Sequence, residues 1–219
     1  MRETTQTEAQ EKKYRTTAPS RKRSDSNIKR KNVLDMTLCA VCAALTCVLA
    51  PLSLPSYNPE VPISLATFAS MIAGGLLRPK YAALSQVIYI LLGFAGLPVF
   101  AGFTAGAGIL ARPSAGYMFG YIVLAWIESF IFNGLGGEKR KALGQTALLA
   151  LGMTAGTAGC YILGTIWFMA MMQTPLWTAL VSCVIPFLFG DAVKIAAAAA
   201  AVPQIRRAFD SVMGKRKLA

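Results

Sequence analysis

Apolar residues fall in long blocks along this chain, separated by short polar, proline-rich or glycine-rich breaks. Residues 1–32 hold almost no large aliphatic side chains and predict a disordered tail. From there the blocks predict six membrane-spanning helices: Leu34 to Leu54, Ile63 to Leu77, Tyr81 to Leu97, Ser114 to Phe132, Ala142 to Phe168 and Pro186 to Ile205. The break from Pro51 to Pro62 contains four prolines and predicts a semi-rigid extended loop. Met169 to Ile185 is apolar but interrupted by Pro175, which predicts a short helix near the outer surface with Trp177 as an interface anchor. The stretch from Gly93 to Pro113 fits neither pattern. It is too rich in glycine for a stable helix and too apolar for a surface loop. Irregular apolar backbone is tolerated in a membrane protein where it is buried in protein or lines a cavity, so this stretch predicts a re-entrant cap over a site.

Composition sharpens the fold class. Of the 219 residues, 55% are hydrophobic and only 15% charged, less charge than soluble domains carry. The chain is read as an all-α integral membrane protein with six transmembrane helices and a Gly-rich capping loop between the third and fourth. Residues 33–208 form the membrane domain, and residues 1–32 and 209–219 are basic cytoplasmic tails. A net charge of +12 suggests nucleic acid at first sight, but the distribution excludes that reading. Of the 22 Lys and Arg, all but Arg112 and Lys194 lie in the two tails, at Arg206 and Arg207 just after the sixth span, or in the breaks after the second and fourth spans. That asymmetry predicts both termini inside, in a multi-pass protein of the plasma membrane whose basic tails meet anionic lipid headgroups. The proline linker, the cap and the start of the sixth span then share the outer side.

The candidate chemistry is sparse. The chain has no histidine, which removes His-based metal sites, catalytic dyads and proton relays. No GxxxxGK[ST] loop is present, and no cofactor or metal is expected. Cys39-Ala-Val-Cys42 has a redox-motif spacing but sits inside an apolar helix, where it reads as small residues at a helix interface. Asp191 and Lys194 stand out, because they are opposite charges three residues apart, on one face of the sixth helix. Intramembrane charges mark a partner, a cavity or a transport path. The pair either neutralises itself or holds a polar ligand. Ala40 with Ala44, and Gly152 with Gly156, form small-residue faces that allow close helix approach. An intramembrane enzyme would need a Ser–Lys dyad, for example Lys194 with Ser182 or Ser85, and nothing in the sequence brings these together.

Three motifs carry a resemblance. Gly93-x-x-Gly-Leu-Pro-Val-Phe-Ala-Gly102, Pro113-Ser-Ala-Gly116-Tyr117-x-x-Gly120-Tyr121 and Pro186-Phe-x-x-Gly-Asp191-x-x-Lys194 resemble the BioY family, over about Leu34 to Ile205. BioY proteins are the biotin-binding membrane subunits, or S components, of energy-coupling factor (ECF) transporters. The resemblance implies a non-catalytic protein that captures biotin from outside and docks on a scaffold transmembrane subunit with two ATPases. It implies a ligand site at Asp191 and Lys194, and a scaffold-contacting face at Ala40 and Ala44. The Asp accepts from the urea N–H groups, while the Lys donates to the urea oxygen or the carboxylate. Gln86, Tyr89, Phe100, Gly102, Arg112 and Tyr117 complete the expected site, the aromatic residues covering the ring system. The sequence departs from the family at Ala66, where Gln is frequent, at Arg112, where Gly is frequent, and at Ser114-Ala115, where Thr-Gly is frequent. One family form has an Arg near the position of Thr104, and Arg112 is the candidate to replace it. An S component for another vitamin and a carrier without an ATPase module remain as alternatives.

Overall fold

The computed structural model describes residues 32–54, 63–137 and 140–212. The expected disordered head, most of the proline linker and the last residues of the C-terminal tail lie outside those ranges. The chain divides into two units, Met1–Thr37 and Leu38–Ala219. Of the first, the described part is the opening of helix α1, Asn32–Leu49. The second unit contains everything that follows.

After α1, strand β1 (Ser53–Leu54) pairs antiparallel with β2 (Ile63–Ser64), so the ends of the proline linker are held together. Helix α2 runs Ala66–Leu76 and α3 runs Pro79–Phe94. Pro79 occupies the first turn of α3, where its missing N–H costs no hydrogen bond. Two short 3-10 turns, Ala101–Phe103 and Ala107–Ala111, lead into α4 (Ala115–Gly134). Helix α5 spans Ala142–Met172 and stops at Gln173, which adopts the left-handed conformation. The short α6 (Leu176–Cys183) follows Pro175, and α7 (Ile185–Val212) carries Pro203 within it.

Four of these helices, α1, α4, α5 and α7, are long and apolar enough to cross a membrane. Helices α2 and α3 have 11 and 16 residues, fewer than the 15 and 17 expected from the apolar blocks. The shortening of α2 has a local cause. Ile63 and Ser64 are extended in β2, and the Ser64 hydroxyl donates to the carbonyl of Ala50 while accepting from the N–H of Ala66. At 1.5 Å per residue α2 is only about 16 Å long. It is nonetheless the most enclosed element, with every residue from Ala69 to Leu76 buried.

Helices α4 and α5 pack closely because glycines stand at their contact. A Cβ at Gly156 would lie 2.7 Å from the carbonyl oxygen of Leu124, and one at Gly120 would lie 2.6 Å from Cys160 Sγ. The small-residue pair Gly152 and Gly156 thus faces α4. Residues 95–114 fold back on α3. The buried ring of Phe100 packs against Gly93, edge-on to Tyr89 (5.7 Å, 87°) and to Phe94 (5.9 Å, 70°). Any larger residue at position 93 would displace that ring.

Candidate functional site

The site begins with the pair on α7. Lys194 Nζ lies 3.0 Å from Asp191 Oδ1, and both side chains are largely buried. Lys194 also donates to Ser64 O and Thr67 Oγ1, each at 2.9 Å. An ammonium group has three donors, and all three are used. The second carboxylate oxygen, Asp191 Oδ2, accepts a hydrogen bond from the Tyr161 hydroxyl. The pair therefore joins three helices: α7 supplies the charges, α2 and the strand before it receive the lysine, and α5 supports the aspartate. Charge-assisted bonds of this kind offset the desolvation of both ions, and removing one partner would leave the other exposed to that cost.

Beside the pair opens a cavity of about 790 Å³, including the part open to the outside. Its apolar walls include Tyr89, Phe100, Tyr117, Met118 and Phe187, with Asp191 and Lys194 as the charged groups in the lining. Ala101 and Ile109 from the glycine-rich stretch also line it. The Tyr117 ring packs against Gly164 of α5, and its hydroxyl lies 3.4 Å from Thr165 Oγ1. The absence of a side chain at position 164 thus sets the position of a cavity wall.

Five of the eight residues expected at the ligand line this one cavity: Asp191, Lys194, Tyr89, Phe100 and Tyr117. The other three lie elsewhere. Gln86 is fully buried among helices, accepting from Ser70 and donating to Thr46 and Ser85. It satisfies a polar knot between α1, α2 and α3. Gly102 is exposed at a left-handed φ of 68°, and its N–H donates to the carbonyl of Pro51. It ties the glycine-rich stretch to the end of α1. Arg112 is exposed at the entry to α4, where its carbonyl accepts from Trp167 Nε1 at 3.3 Å. Ala40 and Ala44 are both exposed on α1. Ser85 bonds Ala82 O and Gln86 rather than Lys194, so the alternative dyad has no geometry there.

Sequence reasoning missed Tyr161, Ser64 and Thr67. Tyr161 sits in a glycine-rich helix thirty residues before Asp191, and a tyrosine there reads as ordinary packing. Ser64 takes part through its backbone carbonyl, which no side-chain pattern announces. Thr67 is the second residue of α2, within its first turn, and a threonine there reads as an ordinary helix-start residue.

A helical multi-pass membrane protein with a cavity built around an intramembrane ion pair is the class that fold and site define. The chain belongs to the BioY family, whose model matches residues 20–211. It is 35% identical to the Probable biotin transporter BioY of Pyrococcus horikoshii over 75% of this chain and 91% of the relative. It is also 35% identical to the Biotin transporter BioY of Thermotoga maritima, over 73% of this chain and 88% of the relative. A crystal structure of the S-component for biotin from an ECF-type ABC transporter superposes with a TM-score of 0.72. The two are 29% identical, over 81% of this chain and 93% of that one.

Proposed function

We propose that this protein is a biotin-binding S component, which captures biotin from outside the cell and delivers it by docking on an ATP-driven ECF module. It is a transporter subunit, not an enzyme. The observation that carries the reading is the ion pair Asp191–Lys194 standing in an aromatic-walled cavity, in a chain whose relatives are biotin transporters. Asp191 and Lys194 supply charge-assisted hydrogen bonds to the polar groups of biotin, and Tyr89, Phe100 and Tyr117 enclose its ring system.

In this reading the membrane domain has six crossing segments, with α2 and α3 as the short ones. Exposed apolar side chains such as Phe189, Leu151 and Ile162 support contact with lipid tails. The lopsided distribution of basic residues supports cytoplasmic termini in a plasma-membrane protein. Residues 95–114 cap the cavity on the outer side, where Phe100, Ala101 and Ile109 meet the ligand. Gly102 and Arg112 act through the shape of the cap, and Gln86 acts through the packing beneath it. Ala40 and Ala44 offer a smooth face for the scaffold subunit, which is joined to two ATPases. Ala40→Trp with Ala44→Trp is expected to abolish uptake and co-purification with the scaffold while leaving biotin binding near normal. The direct test of function is a titration of the purified protein in detergent with biotin, thiamine and riboflavin. Saturable binding of biotin alone is expected. Binding of another vitamin in preference would overturn the assignment.

A further inference from the structure

Helix α5 carries four threonines, and three of them are satisfied. Thr146 and Thr154 donate to the carbonyls one turn back, Ala142 O at 3.2 Å and Ala150 O at 2.8 Å. This is the ordinary choice for threonine inside a helix. Thr165 pairs with the hydroxyl of Tyr117. Thr157 is the exception. It is 5% exposed, and its hydroxyl has no hydrogen-bond partner among the described residues. The carbonyl of Met153, one turn back, was available and is not taken. A buried hydroxyl left unpaired costs stability, so such groups call for an explanation.

Position supplies one. Thr157 lines the cavity that contains Asp191 and Lys194. It lies four residues before Tyr161, on the same face of α5. Thr157, Tyr161 and Asp191 also line a second, apolar crevice between α5 and α7, bounded by Leu188 and Ile195. At this end of the cavity several polar groups already have partners. Both oxygens of Asp191 accept, Lys194 donates three times, and the hydroxyls of Ser64 and Thr67 are engaged. A polar ligand arriving here must compete for each of those bonds, but not for Thr157.

We infer that Thr157 is a ligand-contacting, specificity-determining residue of the cavity, its hydroxyl forming a hydrogen bond with a polar atom of bound biotin. The inference rests on the reading of the cavity as a biotin site. A hydroxyl both donates and accepts, so it matches the urea N–H groups as well as the urea or carboxylate oxygens. The bond satisfies a group that is unpaired without ligand, and a competitor lacking the matching atom leaves it unpaired.

The test is Thr157→Val, which keeps the side-chain shape and removes the hydroxyl. Two quantities are read on the purified full chain: thermal stability without biotin, and biotin affinity. The ligand-free melting temperature is expected to stay the same or rise, because an unpartnered buried hydroxyl has gone. Biotin affinity is expected to fall about tenfold. Thr157→Ser, which restores a hydroxyl, is expected to return affinity close to wild type. Unchanged affinity in Thr157→Val, or a loss of affinity accompanied by a lower melting temperature, would overturn the inference. A wild-type protein that fails to bind biotin would instead overturn the reading of the cavity, and that result is seen before any substitution is made.

Discussion

Two buried carboxylates sit on different long helices of this protein and are treated in opposite ways. Asp191 on α7 has a partner for each oxygen, Lys194 on one side and Tyr161 on the other, and it faces a cavity. Glu128 on α4 is fully buried, and neither of its oxygens has a hydrogen-bond partner among the described residues. It is cradled by glycines instead: a Cβ at Gly74 would lie 2.6 Å from Glu128 Oε2, and one at Gly75 would lie 3.0 Å from Oε1. Nearby, Arg206 Nε donates to the carbonyl of Gly75 at 2.8 Å, and its guanidinium lies 4.5 Å over the ring of Phe132. Glu128 lines neither of the cavities described. The difference teaches that burial of a charge-bearing residue does not by itself mark a ligand site. What separates Asp191 is a set of side-chain donors that a ligand can exchange with, next to space for the ligand to occupy.

The comparison can be broken most forcefully at Lys194. Lys194→Met alone leaves Asp191 with Tyr161 as its remaining partner and removes the lysine's bonds from α7 to Ser64 and Thr67. Removing one member of a buried pair costs about 3–5 kcal/mol. The variant should therefore unfold at distinctly lower temperature or denaturant concentration than wild type in detergent, followed by intrinsic fluorescence. Wild-type stability would mean that the pair contributes nothing to holding α2 and α7 together.

A matched pair of smaller changes sharpens the contrast. Asp191→Asn and Glu128→Gln are the same chemical substitution, a carboxylate for an amide. For Asp191→Asn the loss of a charged hydrogen bond, about 1.5–3 kcal/mol, should weaken biotin binding at least about tenfold. Glu128→Gln should leave affinity within about twofold, since nothing bonded to the carboxylate is lost. Both affinities come from one calorimetric titration series. Equal losses at the two positions would erase the distinction between them.

Much of this was legible in the sequence, and the part that was not has a physical explanation. Apolar blocks locate helices because spanning segments must be long and uniformly apolar, and a charge pair inside such a block is conspicuous. Asp191 and Lys194 were therefore visible at once. Tyr89, Phe100 and Tyr117 came with the resemblance, as the aromatic residues expected to cover a ring system. Gln86 shows the limit. A polar residue inside a span has the same appearance whether it faces a ligand or closes a knot with Ser70 and Thr46, and those partners come from other helices. Arg112 was equally ambiguous: its charge drew it toward the site, while the fold leaves it exposed at the start of α4. Tyr161 and Thr157 were hidden for the converse reason, since their roles arise from the α5–α7 contact and not from their neighbours in sequence. The length of α2 was obscured by β2, whose Ile63 and Ser64 directly precede the apolar run and read as its start.

The central claim is that Asp191 and Lys194 bind biotin and do more than neutralise each other. The most direct measurement is the biotin affinity of the double variant Asp191→Asn with Lys194→Met, with a monodisperse elution profile as the control for folding. Removing both charges together avoids stranding either one in the interior. The account predicts a folded protein with affinity reduced at least about a hundredfold, the loss of two charge-assisted bonds of about 1.5–3 kcal/mol each. Near-native affinity in a well-folded double variant would contradict it.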